Sequence, residues 1–234
     1  MHRSTRLRLA YVALAAADTV LAGSRRPSAH RARRVTKPLL LPTLGAALAA
    51  DPRADGSPLR TTTLVAQAGG WGGDVLLLGH GERMLAAGAC SFGLGHLAYL
   101  AGFRRHRDRR TPTRRAPTTR VIASLWATSG PVVAAAAARR DRRLGGVLLG
   151  YSALLATIAA GAAHLDPTLP RDARLLTAAG GATFLASDAV LGARTFLLPD
   201  APQRLESVVM ATYTGAQLLL AEGTARAGRE PRHP

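Results

Sequence analysis

The basic side chains of this chain come in blocks, and long stretches between the blocks are nearly free of charge. A water-soluble helix places charged residues on its outer face at every turn, so a long uncharged stretch has no face to give to water. A segment of about 20 such residues matches the ~30 Å of hydrocarbon that a membrane helix must cross. A helix satisfies its own backbone groups in lipid. The reading is therefore an all-α integral membrane bundle of about eight transmembrane helices. The spans are expected at 7–23, 36–50, 62–79, 84–103, 119–138, 144–163, 173–192 and 204–224. They form a single polytopic domain over residues 1–234, closed by a polar tail at 225–234.

Composition removes the main rivals. Hydrophobic residues make up 47% of the chain, too many for a disordered polymer, and Cys90 is the only cysteine, so no disulfide framework exists. The net charge of +17 invites a nucleic-acid reading, but no recognition signature accompanies it and 4% aromatics build no stacking platform. Of the 31 basic residues Lys37 is the single lysine, which suits GC-rich coding better than a phosphate-binding surface. The arginines are read as topology signals and as contacts for anionic headgroups. With eight spans, the loops on the side of the termini hold 18 basic residues and those opposite hold 13, which places both termini in the cytoplasm of a multi-pass cell-membrane protein. The segment from Arg25 to Lys37, read as a loop of the opposite set, argues against that orientation.

Two spans have rival readings. Residues 62–79 carry several glycines with Gln67 and Asp74, a pattern open to a broken or re-entrant helix. The first span starts basic and runs short and apolar like a signal peptide, although Asp18 interrupts the apolar run.

An ionisable group near the bilayer centre costs roughly 2.5 to 3.5 kcal/mol, so each one inside a span asks for a partner or a polar cavity. Asp74, His96 and Asp188 are the deepest, with Asp18 a fourth. His96 and Tyr99 share a helix face three residues apart, Tyr213 and Gln217 form a second polar stripe, and Tyr151 opens a third. Two intramembrane carboxylates make an acid and base pair conceivable. No phosphate loop, serine elbow or metalloprotease motif is present, and His80, His96 and His164 follow no metal-ligand spacing. No metal and no cofactor are expected.

The blocks TKPLLLP (36–42), GDVLLLG (73–79), FGLGHLAYLAGF (92–103), FLASDAVLGARTF (184–196) and YTGAQLLL (213–220) occur in an order that resembles the YhhN family of polytopic membrane proteins, which includes the lysoplasmalogenases. The resemblance implies hydrolysis of the vinyl ether bond of a lysoplasmalogen to a fatty aldehyde and glycerophosphoethanolamine or glycerophosphocholine. It puts the family's polar positions on Lys37, Asp74, His96, Tyr99, Tyr151, Ser187, Asp188, Tyr213 and Gln217. Asp74 and Asp188 are the catalytic candidates, their separate roles open, and the other seven bind substrate. The partners implied are a lysophospholipid substrate and membrane lipids, without nucleic acid. The contrasting class is a transporter or lipid-binding protein that uses the same carboxylates without chemistry.

Overall fold

The computed structural model describes residues 2–79, 82–113, 116–198 and 200–228, and eight α-helices account for most of them. They are α1 (Arg3–Ala22), α2 (Pro27–Ala49), α3 (Arg60–Leu76), α4 (Glu82–Arg105), α5 (Pro117–Ala138), α6 (Arg142–Ala162), α7 (Arg171–Phe196) and α8 (Arg204–Arg226). Among the described residues the only β pairing is one isolated bridge between Arg107 and Leu165. The order and number match the charge-free stretches, and most ends fall within a few residues of expectation. Three helices, α5, α6 and α7, are long and apolar enough to cross a membrane. The others fall short of that measure for a compositional reason. Gly and Ala add little transfer free energy, and the ionisable residues of the site lower the mean.

The exception among the ends is α2, which begins at Pro27 and not at residue 36, so most of the segment from Arg25 to Lys37 is helix and the loop reading is corrected. Proline at the first helical position is already set for the helix and has no N–H to lose. Arg33, brought inside, reaches the fully buried Asp18 of α1 through Nε and Nη2, each at 3.3 Å, while the Thr36 hydroxyl donates to the same carboxylate at 2.6 Å. Asp18 is thus a neutralised tie between α1 and α2. The prolines at 38 and 42 stay within α2. Pro42 has no N–H for the carbonyl of Pro38, and the Trp71 indole N–H takes that place from α3 at 3.0 Å. Residues 60–76 form one continuous helix, not a broken one.

Consecutive helices pack as neighbours, except that α4 meets α6 where α5 stands aside, and α8 returns against α1, α2 and α3. The α3–α4 crossing depends on missing side chains. A Cβ on Gly69 would lie 2.6 Å from the backbone nitrogen of Gly95, and one on Gly95 would lie 2.6 Å from the carbonyl of Ala66. Close approach of small residues is the way helices associate where water supplies no driving force.

Ion pairs fasten both ends of the bundle. Arg8 of α1 pairs with Glu222 of α8 at 2.6 Å, so the start of α1 and the end of α8 lie at one end. There Asp51 is held by Arg8 and by Arg53, and Arg226 pairs with Asp172 at 3.0 Å. Burial would raise the Asp51 carboxyl, but the hydrogen bonds and charge of Arg53, with Arg8 beyond it, hold it below the usual carboxylate range. At the far end Glu206 joins Arg33 at 3.6 Å to Arg194 at 2.8 Å.

Candidate functional site

The two catalytic candidates sit in different electrostatic surroundings. Asp74, near the end of α3, is 2% exposed. Its Oδ1 is 3.2 Å from Lys37 Nζ of α2, and its Oδ2 accepts from the Tyr213 hydroxyl of α8 at 2.9 Å. The continuation of α2 through Pro38 and Pro42 carries Lys37 to this point, and the Trp71 bond to Pro38 fixes α3 beside it. Both carboxylate oxygens are therefore occupied, one by a cation.

Asp188 of α7 faces no cation among the described residues. Its Oδ2 lies 3.1 Å from the Tyr151 hydroxyl of α6, which in turn lies 3.5 Å from His96 Nε2 of α4. The other ring nitrogen, Nδ1, is 2.6 Å from the carbonyl of Phe92. A carbonyl only accepts, so Nδ1 carries the hydrogen and Nε2 presents a lone pair to Tyr151. The geometry is a short chain from carboxyl to phenol to imidazole, spanning three helices.

An aromatic wall joins the two groups. The Tyr213 ring stands 5.7 Å from Phe184, Phe184 stands 5.1 Å from His96, and His96 stands 5.4 Å from Tyr151. Phe92 closes the corner, 6.3 Å from both His96 and Tyr213 in edge-to-face geometry. Gly73, next to Asp74, leaves room for the Phe92 ring where any Cβ would collide with it. Beside the wall lies a void of about 10 Å³ bordered by His96, Tyr99, Phe184, Leu155 and Ile158.

Of the remaining site residues read from sequence, Tyr99 donates to Gln217 Oε1 at 2.9 Å and stacks on Phe103 at 5.8 Å. Ser187 stands apart from the two carboxylate groups. Fully buried, it donates to the Val209 carbonyl at 3.0 Å and ties α7 to α8. His164 lies at the end of the termini with Nε2 2.7 Å from the Thr111 carbonyl, while His80 and residues 229–234 lie outside the described residues. Phe184, Tyr11 and Gln67 belong to this core and sequence reasoning did not place them there. Phe184 bears no polar group to mark it. Tyr11 donates to the Thr214 carbonyl at 2.8 Å, one turn from Gln217. Gln67, on one face with Asp74 on α3, is 2% exposed, and neither amide atom is hydrogen-bonded among the described residues.

These features define an all-helical bundle, with helices apolar enough for a membrane, built around a cation-paired carboxylate and an unpaired one. The chain belongs to the YhhN family, whose family model matches residues 32–224. No curated protein and no solved structure matches it. The matched range takes in both carboxylate groups but omits α1, whose Tyr11 and Asp18 brace the core from outside it.

Proposed function

We propose that the chain is a lysoplasmalogenase-like hydrolase, held in the bilayer by all eight helices with both termini cytoplasmic, that opens the vinyl ether of a lysophospholipid. The observation that carries this reading is the contrast between the carboxylates. Vinyl ether hydrolysis needs a proton delivered to the β carbon and negative charge near the oxocarbenium ion that results. Asp188, with no counter-charge, is the carboxyl suited to hold a proton, because an unpaired charge in apolar surroundings is neutralised. Asp74, paired with Lys37, supplies the fixed negative charge. The two unused N–H donors of Lys37 suit the phosphate of the substrate.

The steps balance. Asp188 gives its proton to the β carbon, and water adds to the oxocarbenium carbon while returning a proton to Asp188. The hemiacetal then collapses to a fatty aldehyde and the free glycerol hydroxyl. Tyr151 and His96 move the proton between Asp188 and the water. A void of about 10 Å³ beside His96 has room for about one water, so the alkenyl chain enters by displacing side chains such as Leu155 and Ile158.

The test is aldehyde release from purified protein given a panel of lysoplasmalogens and ordinary lysolipids. Asp188→Asn should cut turnover by ~10² or more, and Tyr151→Phe by less, as expected for a positioned acid and its relay. Ser187→Ala should retain most activity, since a vinyl ether has no carbonyl for a serine to attack. Fatty-acid release from ordinary lysolipids would make the chain an esterase. No product from any lipid would leave the transport or binding reading.

A further inference from the structure

We propose that a groove at the end of the bundle carrying the termini, between the last turn of α4, the first half of α5 and α6, is a binding site for an anionic phospholipid. It is separate from the carboxylate core, and the proposal stands whether or not the chain is a hydrolase.

The groove has a volume of about 400 Å³, within the range of ligand pockets, and exceeds by far the void beside His96. Its floor is apolar, with Ile122 and Trp126 of α5 facing Ala153 and Ala156 of α6. Its rim is basic, formed by Arg104 in the last turn of α4 and Arg107 just beyond it. Among the described residues neither guanidinium has an acidic partner, whereas Arg8, Arg33, Arg53, Arg194 and Arg226 all do. The nearby acids are engaged elsewhere, Asp108 with the backbone N–H of Arg110 and Asp166 with Thr168. Thr119, in the first turn of α5, adds a buried hydroxyl without a partner among the described residues.

The site is built, not incidental. Arg107 pairs with Leu165 in the lone β-bridge, and the Asp108 N–H donates to the His164 carbonyl at 3.0 Å, which fixes the rim to the end of α6. The Trp126 indole donates to Ser152 at 3.0 Å, which fixes the floor. Val121 and Leu125 of α5, 59% and 60% exposed, carry the apolar surface out from the groove toward the hydrocarbon. Trp126 lies about 14 Å along α5 from Pro117, at 1.5 Å per residue. A chain laid over Trp126 therefore ends with its phosphate at Arg104 and Arg107, in the headgroup layer. Charge complementarity at the rim selects an anionic headgroup over a zwitterionic one.

The chain has two tryptophans, Trp71 and Trp126, so Trp71→Phe leaves Trp126 as the sole reporter. In nanodiscs, phosphatidylglycerol brominated on its chains should quench Trp126 at a mole fraction ~fivefold or more below that needed with brominated phosphatidylcholine. Adding Arg104→Gln and Arg107→Gln should remove the difference, and inorganic phosphate should not restore the fluorescence. Equal quenching by the two lipids, or a preference that survives both arginine changes, overturns the proposal. Reversal by inorganic phosphate also overturns it and makes the rim a simple anion site. Native mass spectrometry of the otherwise unaltered chain checks the same point without the Trp71 change. Retention of phosphatidylglycerol should fall in the Arg104→Gln, Arg107→Gln variant, and equal retention refutes the site.

Discussion

Removing the charge of Asp74 strands Lys37, and the size of that penalty follows from the geometry. The two charges are 3.2 Å apart, and side-chain exposures of 14% for Lys37 and 3% for Asp74 leave little solvent screening. At an effective dielectric of 20 the attraction is about 5 kcal/mol. Breaking a buried pair from one side costs ~3–5 kcal/mol, because the survivor keeps its desolvation without its partner. Asp74→Asn and Lys37→Met should each therefore destabilise the bundle by about 3 kcal/mol or slightly more. The double variant leaves no orphaned charge and should cost less than either single change, giving a coupling energy of at least about 3 kcal/mol. Unfolding in detergent, followed by circular dichroism, measures all four corners of the cycle. Simple addition of the two single losses would refute the pairing and with it the division of roles between Asp74 and Asp188.

Three further outcomes are expected. Gly95→Ala should cost ~1–3 kcal/mol by forcing α3 and α4 apart, while Gly93→Ala, with nothing within 4 Å of the added methyl, should be neutral or stabilise by up to ~1 kcal/mol; thermal unfolding of the two variants decides it. The Asp51 clamp should depend on pH. Its carboxyl titrates lower in the fold than in the unfolded chain, so its contribution is complete above the ordinary range near ~4 and is lost as pH falls through the folded value. The difference in melting temperature between the natural chain and Asp51→Asn should therefore be largest at neutral pH and shrink on acidification. Topology reporters fused at Arg110 and after Gly228 should report the same side of the membrane, since the Arg8–Glu222 pair and the end of α4 lie at one end of an eight-helix bundle; opposite sides would require an odd number of spans.

Much of the fold was legible because the long charge-poor stretches fall in the middles of the helices and the arginine clusters fall near their ends and connections. That logic failed at α2 for a physical reason. It reads an arginine as a loop residue, but Arg33 has a buried carboxylate within reach across a helix hairpin, and pairing makes it admissible inside the bundle. Pro38 and Pro42 stay within the helix, as the span at 36–50 requires; the carbonyl freed by Pro42 finds a donor in Trp71, a compensation that no local pattern reveals.

The polar residues were legible one at a time, because each is anomalous in an apolar stretch, but their grouping depends on which helices meet. Asp74 and Asp188 look alike in sequence, both preceded by small residues and followed by aliphatic ones. Only the packing separates them, by setting the single lysine of α2 against α3 and leaving α7 to face a tyrosine and a histidine. Ser187 shows the same limit in reverse. One residue from Asp188, it points about 100° away and spends its hydroxyl on the backbone of α8. The roles proposed for the two carboxylates thus rest on the arrangement of helices and not on the carboxylates themselves. Moving the lysine should move the roles with it: a Lys37→Met chain with a cation introduced beside Asp188 would place the unpaired carboxyl on α3 and remove the tyrosine and histidine relay from its reach.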